Sequence, residues 1–216
     1  YWHFRSGDVL LHMLPTFHVH GLFVACHTAL LNGSAMFFEP KFDAARAMNL
    51  LPQSTVMMGV PTYYVRLLLD PAFGRETCSN MRLFVSGSAP LLRETFDEFQ
   101  ARTGHTILER YGMTEGGMFT SNPYDGERRG GTVGFPLPGT AIRIVGTDGR
   151  SSRTGQIGSI QVKGDNVFLG YWNMPEKTRE EFTADGYFVT GDMGSWDADF
   201  YITISGRSKD LVITGG

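Results

Sequence analysis

The chain has 216 residues, with 19 basic and 22 acidic side chains and a formal charge of −3. That balance excludes an electrostatic case for binding nucleic acid or an anionic membrane surface. With 42% hydrophobic residues it can bury the core of one large or two modest domains.

Val9 to Leu14 reads as a buried strand closed by Pro15. Gly21 to Leu31 reads as an apolar helix ending near Asn32-Gly33. Interrupted by Cys26, His27 and Thr28, it falls short of the roughly 18 residues that a membrane span needs. Ser34 to Phe38 is a strand, and Asp43 to Leu51 has helical period with Asp43 as N-cap. Thr55 to Val60 is a strand, and Pro61 opens a helix to about Leu69. Arg82 to Ser86 is a strand, Leu91 to Thr103 an amphipathic helix stopped by Gly104, and Thr106 to Glu109 a further strand. Repeated strand–helix units predict an α/β fold, a parallel sheet covered by helices.

The pattern changes near Asn122. Short runs follow at Ala141 to Val145, Ser159 to Val162, Tyr187 to Thr190 and Tyr201 to Ile204, with Asp148-Gly149 as a hairpin turn and helical period only from Pro175 to Phe182. This predicts a small β-rich subdomain, a distorted barrel, over residues 122–206 after an α/β part over 1–121. Cys26 and Cys78 lack metal-type spacing and read as buried, reduced thiols, with a single disulfide as the alternative. No basic segment followed by an apolar run marks a signal peptide. The start at Tyr1 and the stop at Gly215-Gly216 suggest a piece of a longer enzyme.

Ligands of open parallel sheets bind outside the carboxyl ends of the strands. Two predicted loops leave such ends, Ser86 to Pro90 and Tyr111 to Glu115. Small residues in the first let backbone lie against a base or an acyl chain, although an ordinary strand-to-helix turn would look the same. In the second, Tyr111 offers a ring to stack a base and Gly112 a bare backbone. Thr114 offers a hydroxyl for phosphate, and Glu115 a carboxylate for Mg²⁺. Asp192 can accept both hydroxyl protons of a ribose, and Arg207 can donate to the same sugar or to phosphate. Taken singly, each of these charges reads as a surface residue. His12, His18, His20 and His27 share no helix face and no zinc spacing, so a metal centre is rejected.

The blocks Leu14-Pro15-Thr16-Phe17-His18-Val19-His20-Gly21, Gly59 to Tyr64, Arg82 to Leu91, Leu108 to Glu115, Gly131 to Gly139 and Gly170-Tyr171-Trp172 resemble the adenylate-forming acyl-coenzyme A synthetase superfamily over essentially the whole chain. Its malonyl-activating members are the nearest in look. The resemblance implies ATP, Mg²⁺ and coenzyme A, and a small carboxylic acid as substrate. The acid attacks the α-phosphorus to give acyl-adenylate and pyrophosphate, and the coenzyme A thiol then displaces AMP.

By the same resemblance Ser88, Ala89 and Pro90 line the adenine and acyl pocket. Tyr111, with Gly112 and Met113, takes the adenine. Thr114 contacts phosphate, Glu115 holds Mg²⁺, and Asp192 and Arg207 grip the ribose. His18 lies beside the acyl pocket. Lys209 is the hinge of a C-terminal lid that residues 207–216 would begin. A cytoplasmic enzyme, or one of the mitochondrial matrix, suits this reading, and the sequence is silent on oligomeric state.

Substrate choice turns on a second negative charge. A malonate-type acid leaves a free carboxylate, and burying it without a partner would cost several kcal/mol. Arg66, one helical turn after Thr62, is the candidate cation, and a surface helix charge is the equal alternative. Ser88 is its hydroxyl partner by resemblance. Arg82 is the runner-up, but it precedes its strand. An aryl, fatty or amino acid adenylating enzyme needs no such cation.

The superfamily's Ser/Thr/Gly-rich phosphate loop with its lysine is absent from the sequence, and none of Lys41, Lys163, Lys177 or Lys209 matches the second catalytic lysine. The 216 residues alone should therefore not catalyse adenylation, and acyl-adenylate formed by the pure chain would refute this. A nucleotide-binding module without catalysis is the reading from another class. Two departures stand out: Gly116-Gly117 after Glu115, and Phe200 where the turn calls for glycine, which predicts strain if φ is positive there.

Overall fold

The computed structural model describes residues 1–209. Val9–His12 (β1), Ala35–Phe38 (β2), Val56–Gly59 (β3), Leu83–Ser86 (β4) and Leu108–Met113 (β5) pair in parallel. Gly117–Ser121 (β6) and Phe135–Pro136 (β7) extend this sheet antiparallel. The spatial order is β2-β1-β3-β4-β5-β6-β7.

Alternate side chains of the strands sort into two cores. Leu10, Leu14, Val56, Met58, Leu83, Val85 and Leu108 face Val24, Ala25 and Ala29, which come from a π-helical segment, His20–Cys26, and from His27–Leu31 (α1). On the other face Leu11, Met13, Met57 and Phe84 meet Ala44–Leu50 (α2), Pro61–Leu68 (α3) and Arg93–Thr103 (α4). With both faces covered, the strands read as unbroken apolar runs. Each fully buried ring, such as Phe84 or Phe99, contributes about 1.5–3 kcal/mol by leaving water. The expected helix ends hold. Asp43 Oδ1 accepts from Arg46 N at 2.7 Å, Pro61 opens α3, and Gly104 closes α4 at φ 77°.

Three expectations need correction. The apolar helix placed over Gly21 to Leu31 begins as a π-helix at His20, and within it Gly21 lies so close to Pro15 that an added Cβ would come 2.2 Å from the Pro15 carbonyl oxygen. The strand placed over Thr106 to Glu109 is β5, which runs on to Met113. Tyr111 to Met113 are thus ladder residues rather than loop, because β6 folds back and pairs with them. Gly112 permits that return, since a Cβ there would meet the Gly117 carbonyl oxygen at 1.9 Å. The run at Tyr187 to Thr190 is the start of a nine-residue strand, so Asp192 lies inside a strand rather than after one.

The expected β-rich subdomain is built on a second sheet, antiparallel and four-stranded. It consists of Ala141–Val145 (β8), Gly158–Lys163 (β9), Phe188–Trp196 (β10) and Ile202–Arg207 (β11), in the order β11-β10-β9-β8. An exposed helix, Pro175–Glu181 (α5), precedes β10. Asp148 and Gly149 form a tight turn, which closes a small excursion bridged by Val145 and Ser151. Ile144, Ile160, Val162, Phe188 and Ile202 make the core, and Phe119 of β6 joins it, so the two sheets share apolar contact. The first sheet also reclaims Phe135–Pro136, beyond residue 121.

Both cysteines are free and buried. Among the described residues no helix is long and apolar enough to cross a membrane.

Candidate active site

The carboxyl ends of β4 and β5 and one face of β10 and β11 enclose a cavity of about 260 Å³. Eight residues singled out in the sequence line it: Ser88, Ala89, Pro90, Tyr111, Gly112, Met113, Asp192 and Arg207.

Asp192 and Arg207 are cross-strand partners on β10 and β11. Arg207 Nε lies 2.9 Å from Asp192 Oδ1 as an ion pair, and the Tyr111 hydroxyl donates to Oδ2 at 2.5 Å. Burial raises the Asp192 pKa against the opposing pull of Tyr111 and Arg207, and burial together with the carboxylate raises that of Tyr111. The result is a preorganised acceptor with a planar ring beside it, suited to a ribose and its base.

At the other side of the cavity Ser88 takes a left-handed conformation, φ 67°, which is uncommon for a residue with a Cβ. Its hydroxyl lies 3.1 Å from Nδ1 of His20, the first residue of the π-helix. His20 is buried, and its pKa is pushed down to about 2 by desolvation and by the charges of Arg110, His18 and His12, so the ring is neutral. Arg110 lines the same cavity at 5% exposure. Burial pushes its pKa down to about 10, which still leaves it charged at neutral pH. Arg110 Nε and Nη2, His20 Nε2 and Ser86 Oγ are buried and have no hydrogen-bond partner among the described residues. Buried polar atoms left unpaired are costly, and those of Arg110 and Ser86 lie on the wall of this cavity, an arrangement suited to an anion.

Glu109, also on the cavity wall, accepts from Gly131 N at 2.9 Å. Burial raises its pKa to about 7, against hydrogen bonds from Gly131 and Leu91. Glu109 and Arg110 escaped the sequence reading, and His20 was weighed there only as a metal ligand. The available signal was Glu109-Arg110 itself, a charged pair within a central apolar strand, where neither residue is buried without a purpose.

The structure does not bring six residues named from the sequence into the cavity. Thr114 is exposed at the β5–β6 turn, and Glu115 beside it accepts from the Tyr171 hydroxyl at 3.0 Å through Oε1. His18 is exposed, and its Nδ1 accepts from His20 N at 3.1 Å. Arg66 is exposed, with its guanidinium carbon 4.9 Å from the Phe42 ring centroid. Lys209 is exposed in a turn, and residues 210–216 of the expected lid segment lie outside the described residues. Arg82 sits at the amino edge of the sheet, paired with Asp8 through Nη2 and Oδ2 at 2.5 Å.

The family model described as AMP-binding enzyme matches residues 1–172. The chain belongs to the AMP-binding enzyme family. This AMP-binding chain is 42% identical to a malonate–CoA ligase of Arabidopsis thaliana and 41% identical to a probable CoA ligase, CCL8, of Humulus lupulus. In each case all of this chain is covered, against 38% and 39% of the relative. It superposes on ATP-bound MatB from Rhodopseudomonas palustris with a TM-score of 0.97 and 55% identity, covering 100% of this chain and 43% of that one. The chain thus spans about two fifths of the length of the curated relatives it matches.

Proposed function

We propose that the AMP-binding chain carries the nucleotide and acid site of an ATP-dependent acid–thiol ligase. The enzyme activates a small dicarboxylate, malonate or methylmalonate, as acyl-adenylate and transfers it to coenzyme A. The observation that carries this reading is Arg110, a buried guanidinium whose unpaired donors lie at a cavity shared with the Tyr111–Asp192–Arg207 cluster. The likeness to a malonate–CoA ligase and to ATP-bound MatB supports it.

In this reading Asp192 and Arg207 take the ribose hydroxyls, and Tyr111 the face of the base. Ala89 and Pro90 line the wall between base and acyl group. The free carboxylate of the acid meets Arg110 and the Ser88 hydroxyl. Ser88 is oriented by neutral His20, with the imidazole of His18 behind it. Arg66, on a helix that opens at the same carboxyl edge, remains a proposed second cation, free to swing from Phe42 toward a bound dianion. Thr114 contacts phosphate, and Lys209 is the hinge of a lid.

Glu115 would hold Mg²⁺. Among the described residues no three His, Cys, Asp or Glu side chains converge on a metal. A lone carboxylate nonetheless fits Mg²⁺, which is commonly bound by one or two carboxylates together with substrate phosphates. When bound, the ion offsets phosphate charge.

The test is pyrophosphate release by the full-length protein with ATP, Mg²⁺ and malonate, methylmalonate, acetate, octanoate or benzoate. Preference for malonate or methylmalonate, lost in Arg110→Ala, is expected. Preference for a monocarboxylate would sink the dicarboxylate reading and leave the adenylating one. No turnover with any acid would move the protein to an amino acid or non-catalytic role.

A further inference from the structure

Glu115 is held from the second half of the chain. Residues 166–171, which lead into α5, make four hydrogen bonds to the β5–β6 turn and the start of β6. Asn166 Nδ2 donates to the Gly116 and Met118 carbonyl oxygens at 2.9 and 3.0 Å. Phe168 N donates to the Glu115 carbonyl oxygen at 2.7 Å. The Tyr171 hydroxyl donates to Glu115 Oε1 at 3.0 Å.

Tyr171 is itself fixed. Its N–H donates to Thr178 Oγ1 of α5 at 2.9 Å. Lys177 Nζ lies 4.5 Å from its ring centroid, and Phe168 meets it edge-on at 4.8 Å. The chain bends tightly just before it, at Gly170 with φ 148°, where an added Cβ would come 2.6 Å from Thr178 Cγ2.

A glutamate on a turn has several rotamers, and fixing one before a ligand arrives removes an entropy cost from binding. A phenol does this without neutralising the carboxylate, whereas an ion pair would compete with a cation for its charge. We infer that Tyr171 is a positioning residue for the cation-holding carboxylate: it occupies Oε1, fixes the Glu115 side chain and leaves Oε2 for the metal. This rests on the reading of Glu115 given under the proposed function.

The experiment is isothermal titration of ATP into the full-length protein, once with Mg²⁺ and once with EDTA, for wild type, Tyr171→Phe, Thr178→Val and Glu115→Gln. Tyr171→Phe should weaken binding about tenfold in the Mg²⁺ arm, the scale on which outer-shell partners tune metal sites. In the EDTA arm its affinity should stay within about twofold, since no ATP contact is removed. Thr178→Val, which loosens Tyr171 but keeps its hydroxyl, should give a smaller loss confined to the same arm. Equal losses in both arms would make the contact merely structural and overturn the inference, as would no loss at all. If Glu115→Gln binds MgATP as wild type does, the metal reading of Glu115 fails and this inference fails with it. If Glu115→Gln loses affinity and Tyr171→Phe does not, only the role of Tyr171 falls.

Discussion

Gly87 and Arg110 are complementary in shape: a Cβ added at residue 87 would lie 2.5 Å from Cζ of Arg110. The guanidinium therefore lies against bare backbone of the loop that follows β4. The obstructing atoms belong to the end of a flexible side chain, so Gly87→Ala should displace the guanidinium rather than the sheet. We expect a stability loss of about 1 kcal/mol. On the proposed function, the KM of the full-length protein for malonate should rise about tenfold or more with ATP affinity kept, as when one charged contact is lost from a site. Steady-state kinetics in both substrates decide the matter, and parallel losses for acid and ATP would argue against a carboxylate site at Arg110.

Ser88 combines strain with a hydroxyl that meets His20. Ser88→Gly removes the cost of a left-handed residue, about 1 kcal/mol, together with one hydrogen bond of similar size. Ser88→Ala loses the bond and keeps the strain. In urea unfolding the Gly variant should therefore be the more stable of the two by about 1 kcal/mol. Both should lose preference for a dicarboxylate over acetate.

Phe200 stands at φ 67°, which meets the condition for strain at that turn, and 68% of its surface is exposed. Little packing is lost on removing the ring. Phe200→Gly should stabilise the fold by about 1 kcal/mol, visible as a raised Tm. A lowered Tm would mean that the ring packs more usefully than its exposure suggests.

Glu109 gives the fold a pH dependence with a definite sign. Its folded pKa, about 7, lies above the ordinary value of 4.5. Below that ordinary value the carboxyl is protonated in both states. Between there and neutrality the unfolded chain ionises first, so stability falls by up to about 3 kcal/mol, and above the folded pKa the slope ends. Glu109→Gln should flatten this decline. Urea unfolding of both proteins at an acidic and a neutral pH measures it, and identical slopes would contradict a buried neutral Glu109.

Arg82 and Asp8 tie the amino edge of the sheet by two contacts, at 2.7 and 2.5 Å, and Thr55 Oγ1 donates to the same carboxylate at 2.9 Å. Burial alone would raise the Asp8 pKa, but the hydrogen bonds from Arg82, Arg5 and Thr55 outweigh it and hold it low. Arg82→Ala leaves that carboxylate buried without its cation and should cost about 3–5 kcal/mol, with part restored by adding Asp8→Asn. Chemical denaturation of the single and double variants tests this.

Most of the α/β half was legible because its signals are local. Apolar runs between breakers marked the strands, and Asp43, Pro61 and Gly104 marked helix ends. The π-helical start at His20 was not, because a wider helical turn over so few residues leaves no distinct mark in residue type or apolar period. The length of β5 was missed for a related reason: Tyr111 to Met113 become strand only when β6 pairs with them.

The sequence by itself determined the family and the strand–helix order as far as β5, and it singled out the residues proposed for the nucleotide. Tyr111, Gly112, Asp192 and Arg207 are recognisable by type and spacing, since each carries its chemistry in its own side chain or backbone. Only the tertiary structure shows which polar groups are buried near the cavity. His18 and Arg66 were reasonable by residue type, yet both side chains are exposed and neither lines the cavity, while His20 and Arg110 are buried. What distinguishes these pairs is desolvation: a charge or a ring nitrogen gains its function from the water removed around it, and only the packing of a strand, a π-helix and a glycine loop removes that water.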